Sequence, residues 1–219
     1  MLQTMANGIV AGMLYAVLGV SFSLVYSTSR VFFIGLGGIC TLAPYIALAV
    51  IKMNLPNPVA ALSSILVCGG LAVLCEILVH WPLQLKKAPT EVHFIASLGV
   101  FICLGQVAVM IWGNDVQVLR AGIGRVLQIG SLRLAYSQIL GFCASAVSLF
   151  VVLLWLRNTS AGLRFRALAS NTALLSTLGH NVRAIRIGVF ALSGGLASVV
   201  ALCLGVDIGF DPHSGMRAV

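Results

Sequence analysis

The sequence contains very few charged residues. Of its 219 residues, 13 are Lys or Arg and only five are Asp or Glu, so that charged residues make up 8% of the chain. A soluble domain carries about a quarter charged residues, and a water-facing surface with so few charges would expose large apolar patches. This scarcity excludes a soluble enzyme and a disordered tail. The net charge of +8 does not indicate a nucleic-acid partner, because the basic residues lie between long uncharged runs and not along one face.

Motifs for nucleotide, metal and redox chemistry are absent as well. No lysine follows a glycine in the GxxxxGK[ST] spacing, so any ATP would have to be hydrolysed by a partner. There is no HExxH sequence, and the four histidines are scattered and unpaired along the chain. The six cysteines lie in apolar runs and have no CxxC spacing. This placement is typical of cysteines that act as small hydrophobic residues, not as disulfide partners or metal ligands. We therefore predict no catalytic residue, no metal site and no cofactor.

Long apolar runs are what the sequence does have. Apolar and aromatic residues make up 60% of the chain, and its mean hydropathy is +1.08. Crossing a bilayer takes about 20 apolar residues in a helix. Six uncharged runs meet this length, which predicts an all-α, polytopic membrane bundle forming a single domain over residues 1–219. The predicted spans are residues 6–26, 31–51, 57–79, 92–114, 134–156 and 187–205.

Two segments leave alternatives open. The second span contains Gly35, Gly37, Gly38 and Pro44, which allow a broken helix or a re-entrant hairpin in place of a straight crossing. Residues 115–133 mix apolar residues with glycines at 122, 124 and 130, which is compatible with a small hairpin or with an interfacial strand pair.

The distribution of basic residues predicts the orientation. Residues 157–186 hold five arginines and no acidic residue, which is typical of a cytoplasmic segment. Parity between the spans then places the N-terminus outside. Eight basic residues fall on the cytoplasmic side: Arg30, Lys86, Lys87, Arg157, Arg164, Arg166, Arg183 and Arg186. Five fall on the opposite side: Lys52, Arg120, Arg125, Arg133 and Arg217.

Small and polar residues within the spans predict packing contacts and a path. Gly8 with Gly12, and Gly194 with Ser198, have the small-xxx-small spacing that lets helix backbones approach closely. Such residues favour helix packing over substrate contact. Uncharged polar groups could line a translocation path or form interhelical hydrogen bonds, and the glycine-rich second span could contribute to the same path. The path candidates are Asn7, Tyr15, Gly37 and Gln106.

Glu76 is the one charged residue that falls inside a predicted span, about one turn from its cytoplasmic end. Its carboxylate could reach the interface or pair with Lys86 or Lys87. Alternatively, it could act as a lock on the cytoplasmic side of a gate, because charges within the membrane are costly and persist mainly for function.

The cytoplasmic segment predicts a short amphipathic helix over residues 172–178. Ser170 or Asn171 would cap its start, and Gly179 would end it. Leu174, Leu175 and Leu178 would form its apolar face. Such a helix, flanked by arginines, could dock into a groove of a partner or lie on the membrane surface. The residues themselves do not separate these two alternatives.

This segment resembles the permease subunits of bacterial ABC importers, in particular the branched-chain amino acid permease family. The family pattern T-x-x-G-x-x-x-R-A…N-x-E-A-A-x-x-x-G-x-N-V is matched by Thr159, Gly162, Arg166, Ala167, Asn171, Gly179, Asn181 and Val182. The resemblance extends over nearly all of the chain. The chain departs from the family's sequence at Ala173, where the family has glutamate, and at Trp81 and Gln84, where the family has arginines.

The resemblance implies a function, partners and a location. The chain would be the membrane-spanning permease subunit of an importer for branched-chain amino acids or related small polar solutes, in the bacterial inner membrane. Cytoplasmic ATP-binding subunits, a second homologous permease and a periplasmic solute-binding protein would be its partners. The ATPase-coupling residues would be Gly162, Arg164, Arg166, Asn171, Ala173, Leu174, Leu175, Leu178 and Gly179.

Two further expectations complete the sequence-based interpretation. The family's permeases continue with further spans, so the chain corresponds to about the first three quarters of such a protein. The alternatives to a permease subunit are a secondary transporter, which should show internal repeats and intramembrane charges, and an intramembrane enzyme. The sequence shows no repeats, and almost all of its charges lie outside the predicted spans.

Overall fold

The computed structural model describes residues 2–119, 126–129, 132–207, 209–212 and 214–215. In chain order its helices are α1 (Leu2–Ser29), α2 (Gly35–Lys52), α3 (Asn57–Cys75), α4 (Trp81–Leu85), α5 (Thr90–Trp112), α6 (Tyr136–Asn158), α7 (Ser160–Ser170), α8 (Thr172–Thr177) and α9 (Val182–Asp207). Two strands, β1 (Val126–Ile129) and β2 (Leu132–Ala135), precede α6. Over the described residues, six helical segments are long and apolar enough to cross a membrane. The prediction of an all-α polytopic membrane bundle is confirmed.

Each crossing helix coincides with one of the long apolar runs, but most of these helices extend beyond the predicted span. The clearest extension is at the start of α9, which begins at Val182 and not at residue 187. The Asn181 side chain caps this start, because its Oδ1 accepts a hydrogen bond from the Ala184 amide at 3.2 Å. The five added residues bring Arg183 and Arg186 into the helix.

The third crossing contains a change of helical type near its end. After α3, residues Glu76–His80 form one π-helical turn, and α4 continues the helix to Leu85. Together these segments form one apolar helical span of 29 residues. Lys87, with a φ of 51°, then turns the chain, and Pro89 precedes α5. The π turn therefore places Glu76 and His80 on a distorted part of a membrane-crossing helix.

Helix α2 is the central helix of the bundle. It packs against α3, α5 and α9, and side chains such as Leu36 and Ile39 are completely buried. Pro44 lies inside the helix without ending it. The broken-helix and re-entrant alternatives for this segment are therefore wrong. The surrounding helices accommodate Pro44, because Gly205 of α9 has no side chain to occupy the space beside the proline ring.

The connection between α5 and α6 contains a strand pair. β1 and β2 are antiparallel, with Val126 opposite Ala135 and Ile129 opposite Leu132. Gln117, earlier in the connection, forms a two-way backbone bridge with Phe210 beyond α9. Arg120, Arg125 and Arg217, which entered the orientation count, lie outside the described residues, as do the glycines at 122, 124 and 130.

Contacts between distant segments define the two ends of the bundle. At one end, the Arg30 guanidinium after α1 donates to the carbonyl of Ala169 in α7 at 3.4 Å. At the other end, the Ser137 hydroxyl at the start of α6 donates to Asp207 at the end of α9 at 2.8 Å. Arg30, α4, α7 and α8 thus share one end, which agrees with the parity expected from the sequence. We refer to this end as the inner end.

Candidate functional site: the inner end of the bundle

The inner end begins with a sharp corner between α6 and α7. The Thr159 hydroxyl donates to the Trp155 carbonyl and accepts from the Gly162 amide at 3.0 Å, so that one side chain joins both helices. A Cβ atom on Gly162 would lie 2.6 Å from the Leu156 carbonyl oxygen. Only glycine fits this corner. This steric limit is a structural reason for Gly162, one of the residues that match the family pattern.

Helix α7 is amphipathic and was not predicted as a helix. Phe165 and Leu168 point into the bundle and are buried. Arg164 and Arg166, which flank Phe165 in the sequence, are exposed. The i, i+3 spacing of Phe165 and Leu168 carries the helical signal, but flanking arginines and small residues weaken the apolar pattern of this short segment.

The predicted helix over residues 172–178 is shorter, and its leucine face is divided. α8 ends at Thr177, before Leu178. Leu175 is buried, with 3% of its surface exposed, whereas Leu178 is 66% exposed. Leu175 and Leu178 therefore do not share one apolar face of the helix, and that prediction is wrong. Asn171 and Gly179 are exposed, and Gly179 adopts a φ of 78° that favours glycine. The side chains of Ala173 and Leu174 lie outside the described set.

Glu76 makes a different contact from the one that the sequence suggested. It neither reaches the interface nor pairs with Lys86 or Lys87. Its Oε1 lies 2.6 Å from Nε of Arg186 in α9, and both side chains are 1% exposed. The sequence interpretation assigned Arg186 to the cytoplasmic loop, and the early start of α9 is what carries it into the bundle. The ion pair therefore joins the third crossing to the sixth.

Two neighbouring side chains complete the surroundings of Arg186. Its Nη1 donates a hydrogen bond to Oε1 of Gln84 in α4. The Trp81 ring lies under the guanidinium groups of Arg183 and Arg186, at 5.3 Å and 5.9 Å from its centroid. Trp81 and Gln84 are positions where the chain departs from the family pattern, so the chain uses them to hold an arginine supplied by α9.

Two histidines that are unpaired along the sequence meet in the structure. His80 of the π turn and His93 of α5 are both buried, and their Nδ1 atoms lie 3.4 Å apart. Their rings are stacked, with centroids 5.7 Å apart. Phe33, just before α2, contacts the His80 ring edge-on. Phe190 of α9 lies beside the rings of Phe33 and His80. The π turn is thereby linked to α2, α5 and α9.

The small-residue pairs occupy two different environments. A Cβ atom on Gly194 would lie 2.7 Å from the Cys68 carbonyl oxygen and from Cβ of Ala72, so α9 contacts α3 closely there. Ser198, one turn later, is buried and its hydroxyl donates to the Gly195 carbonyl. Gly8 and Gly12 are exposed, and nothing lies within 4 Å of a Cβ atom built on them. Their predicted packing contact is not made with any residue that the structure describes.

The four path candidates do not converge on one site. Asn7, Tyr15 and Gln106 are exposed on α1 and α5. Gly37 is buried in α2, and its carbonyl accepts a hydrogen bond from the Thr41 hydroxyl at 3.2 Å. Other polar groups in the spans join helices, as Ser21 of α1 and Ser193 of α9 do through hydroxyl groups 3.0 Å apart.

The segment that follows the last crossing helix lies against α2. After α9, Phe210 packs edge-on to Tyr45, with ring centroids 4.7 Å apart. Further on, the Gly215 amide donates to the Thr41 hydroxyl at 3.2 Å. The chain therefore turns back from the outer end of α9 and runs along the central helix. Asp211, Pro212 and Gly215 fit the late Pro-x-x-Gly turn of the family that the chain resembles, and these residues are the sequence signal for the turn.

An apolar groove of about 1120 Å³ lies beside α9, between α3 and α6. Its lining includes Gly69, Ala144, Gly195 and Val199, whereas polar Asn57 and Ser137 stand at its outer end. An apolar wall of this kind suits a lipid chain or a helix. None of its described lining residues carries a charge that could pair with the two ionised groups of an amino acid.

Comparisons with known proteins agree with this architecture. Residues 4–219 match the family described as branched-chain amino acid transport system / permease component. The chain is 25% identical over 233 aligned residues to the high-affinity branched-chain amino acid transport system permease protein BraD of Pseudomonas aeruginosa, covering 99% of this chain and 75% of BraD. It is 28% identical over 202 residues to the probable branched-chain amino acid transport permease protein LivH of Methanocaldococcus jannaschii, covering 88% of this chain and 62% of LivH.

No solved structure matches the chain. The family comprises the membrane components of ABC importers, which are multi-pass inner-membrane transporters and not enzymes. Since the match covers almost every residue and the six apolar helices fit a permease, the chain belongs to the family of branched-chain amino acid transport permease components.

Proposed function

We propose that the chain moves branched-chain amino acids, or related small polar solutes, across the inner membrane as part of an ATP-driven importer. The names of BraD and LivH support the substrate class. The observation that carries the proposal is the six-helix apolar bundle with a compact arginine-bearing segment, α7–α8, folded against its inner end. Such a bundle has no phosphate-binding loop of its own, so energy would come from separate ATP-binding subunits.

The α7–α8 segment is the proposed contact with those subunits. Arg164 and Arg166 on α7, and Leu178 after α8, are exposed at the inner end. Phe165, Leu168 and Leu175 attach the segment to the bundle from the other side. A segment held firmly on one face and exposed on the other suits insertion into a groove of a partner. This assignment places the α7–α8 segment in the cytoplasm and the N-terminus outside.

A second permease subunit is the proposed neighbour of α1 and α5. Gln106 of α5 is exposed. It lies about 9 Å from the end of that helix, because each helical residue adds about 1.5 Å. Asn7 and the open Gly8–Gly12 face of α1 are also exposed. Polar side chains are costly against lipid, so a protein partner would cover this surface. A periplasmic solute-binding protein would deliver the substrate at the outer end.

Reconstitution into vesicles tests the transport proposal directly. The chain would be purified with its ATP-binding subunits, a second permease and the solute-binding protein. We expect leucine uptake that requires ATP inside the vesicle and does not respond to an imposed proton or sodium gradient. Uptake driven by an ion gradient without ATP would contradict the proposal and favour a secondary transporter.

Co-purification of the ATP-binding subunit tests the contact. Leu178→Asp places a charge at the exposed leucine and should reduce retention of the ATPase at least tenfold, since burial of a leucine contributes about 1.5–3 kcal/mol. Leu85→Asp is the matched control, because Leu85 is 68% exposed at the same end but lies in α4. Retention of the ATPase by Leu178→Asp at the level of the control would contradict the contact.

A further inference from the structure

The inner end contains a group of buried polar side chains that the proposed contact does not use. Glu76, His80, His93 and Arg186 are each 5% exposed or less. We call these four residues the inner junction. Atoms of three of them, Glu76 Oε2, His80 Nε2 and Arg186 Nη2, are buried and make no hydrogen bond with another described residue. The junction is therefore a polar cluster set inside an otherwise apolar helix bundle.

Stability alone does not account for such a cluster. Charges lose favourable hydration when they leave water, and a buried ion pair is often replaced by well-packed apolar residues without loss of stability. Ionisable residues within membrane-spanning helices are rare and mark functional positions. The stacking of Trp81 against Arg186 and the Gln84 hydrogen bond show that surrounding residues hold the arginine in one place.

The position of Arg186 connects the junction to the exposed segment. Between α8 and α9 lie only residues 178–181, and Arg186 is in the second turn of α9. A displacement of α8 would therefore reach Arg186 through a connection of four residues and one helical turn. Leu175 of α8 is itself buried against the bundle, so the segment is not a freely moving loop.

The other side of the junction connects to three crossing helices. Glu76 and His80 are the first and last residues of the π turn in the third crossing. His80 stacks on His93 of α5, and Phe33 at the start of α2 contacts the His80 ring at a centroid distance of 5.1 Å. π turns occur frequently at functional sites and interrupt the regular helical register. The inner ends of α2, α5 and the third crossing thus meet α9 at one point.

We propose that the inner junction transmits displacement of the α7–α8 segment to the inner ends of the crossing helices, with Glu76 and Arg186 as positioning residues. The proposal rests on the function proposed above and names the residues that join the ATPase contact to the membrane helices. The ion pair carries the displacement from α9 to the π turn, and the histidine pair carries it onward to α5.

A double variant separates transmission from structural support. Single substitutions would leave one buried charge without its partner, which is strongly destabilising. Glu76→Gln with Arg186→Met removes both charges together while keeping similar side-chain volumes. We expect ATPase retention and melting temperature to stay near those of the unmodified protein. The amount of leucine transported per ATP hydrolysed should fall at least tenfold in reconstituted vesicles.

The matched control removes a buried polar pair elsewhere on α9. Ser21→Ala with Ser193→Ala deletes the hydroxyl pair between α1 and α9, which has no link to the π turn. Its transport per ATP should stay within twofold of the unmodified protein. A second variant, Arg186→Lys, keeps the charge beside Glu76 but loses the planar fork that also reaches Gln84. It should retain a clearly higher transport per ATP than the double variant.

The outcomes distinguish the two proposals. If the unmodified assembly shows no ATP-driven uptake, the proposed function fails and the junction proposal fails with it. If the unmodified assembly transports leucine and the double variant transports as much per ATP, the junction proposal alone is overturned. If the double variant does not fold, Arg186→Lys is used in its place. A folded Arg186→Lys protein whose leucine uptake is as low as that of an inactive assembly would also overturn the junction proposal.

Discussion

Gly194 shows how little space separates α3 from α9. A Cβ atom at this position would lie 2.7 Å from the Cys68 carbonyl oxygen, and backbone atoms cannot move aside as a flexible side chain would. We expect Gly194→Ala to cost about 1–3 kcal/mol of stability through overpacking. The measurement is the melting temperature of the protein in detergent.

Gly188 is the control for this substitution. It lies in the same helix, and nothing is within 4 Å of a Cβ atom built on it. Gly188→Ala should leave the melting temperature unchanged or raise it slightly, because alanine favours a helix over glycine. Equal melting temperatures for Gly194→Ala and the unmodified protein would show that α3 and α9 are farther apart than described.

Residue-scale features could be predicted from the sequence only in part. The small-xxx-small spacing of Gly194 and Ser198 indicates a position where another helix is able to come close. Gly8 and Gly12 have the same spacing, yet no described residue lies within 4 Å of a Cβ atom built on either glycine. Spacing shows that close approach is allowed. Which helix approaches depends on the rotation of each helix about its axis, and packing decides that rotation.

At the scale of elements, the corner between α6 and α7 depends on one hydroxyl group. Thr159 accepts a hydrogen bond from the Gly162 amide and thereby caps α7. Removing a capping hydroxyl costs about 1 kcal/mol. We expect Thr159→Ala to increase local opening of α7 and to raise trypsin cleavage at exposed Arg164 and Arg166 roughly fivefold, as a free-energy change of about 1 kcal/mol implies.

Thr159→Ser is the matched variant, because it keeps the hydroxyl and should be cleaved at the rate of the unmodified protein. The assay uses inside-out vesicles, in which the inner end faces the protease. Equal cleavage of the alanine and serine variants would mean that the cap does not stabilise α7.

The short helices were the hardest elements to predict. The sequence analysis predicts no helix at α7, and the helix that it predicts over residues 172–178 has the observed start of α8 but ends one residue too late. A long apolar helix carries its signal over about 20 residues, whereas α8 has six. In so short a segment, burial of Leu175 and exposure of Leu178 are decided by contacts with the rest of the bundle.

At the scale of the whole molecule, the orientation in the membrane is open to a direct test. Asn54, between α2 and α3, and Ser160, at the start of α7, are exposed at opposite ends of the bundle. We expect a cysteine at position 54 to react with a membrane-impermeant maleimide added to intact cells, and a cysteine at position 160 to react only after permeabilisation. The background is a variant without native cysteines.

Cys40 and Cys68 require care in that background, because both are buried. Serine or alanine at these positions should be checked for a normal elution profile before labelling. Labelling of position 160 in intact cells, with position 54 protected, would reverse the proposed orientation and remove the α7–α8 segment from the cytoplasm.

The sequence by itself determined the class of the protein and the number of its crossings. Hydropathy is a local property, and a helix that crosses about 30 Å of hydrocarbon needs about 20 apolar residues wherever it lies. The uncharged runs therefore locate α1, α2, α3, α5, α6 and α9 without knowledge of their neighbours. The basic residues between these runs indicate orientation for the same local reason.

Only the tertiary structure decided which side chains meet. Glu76 and Arg186 are 110 residues apart in the chain, and no local pattern relates them. The sequence assigns Arg186 to a loop because an arginine that borders an apolar run is normally outside the membrane. Its burial depends on the early start of α9, on the Trp81 ring and on the Gln84 amide. These groups compensate a buried charge only after the third crossing and α9 have packed together, so the inner junction is a property of the assembled bundle.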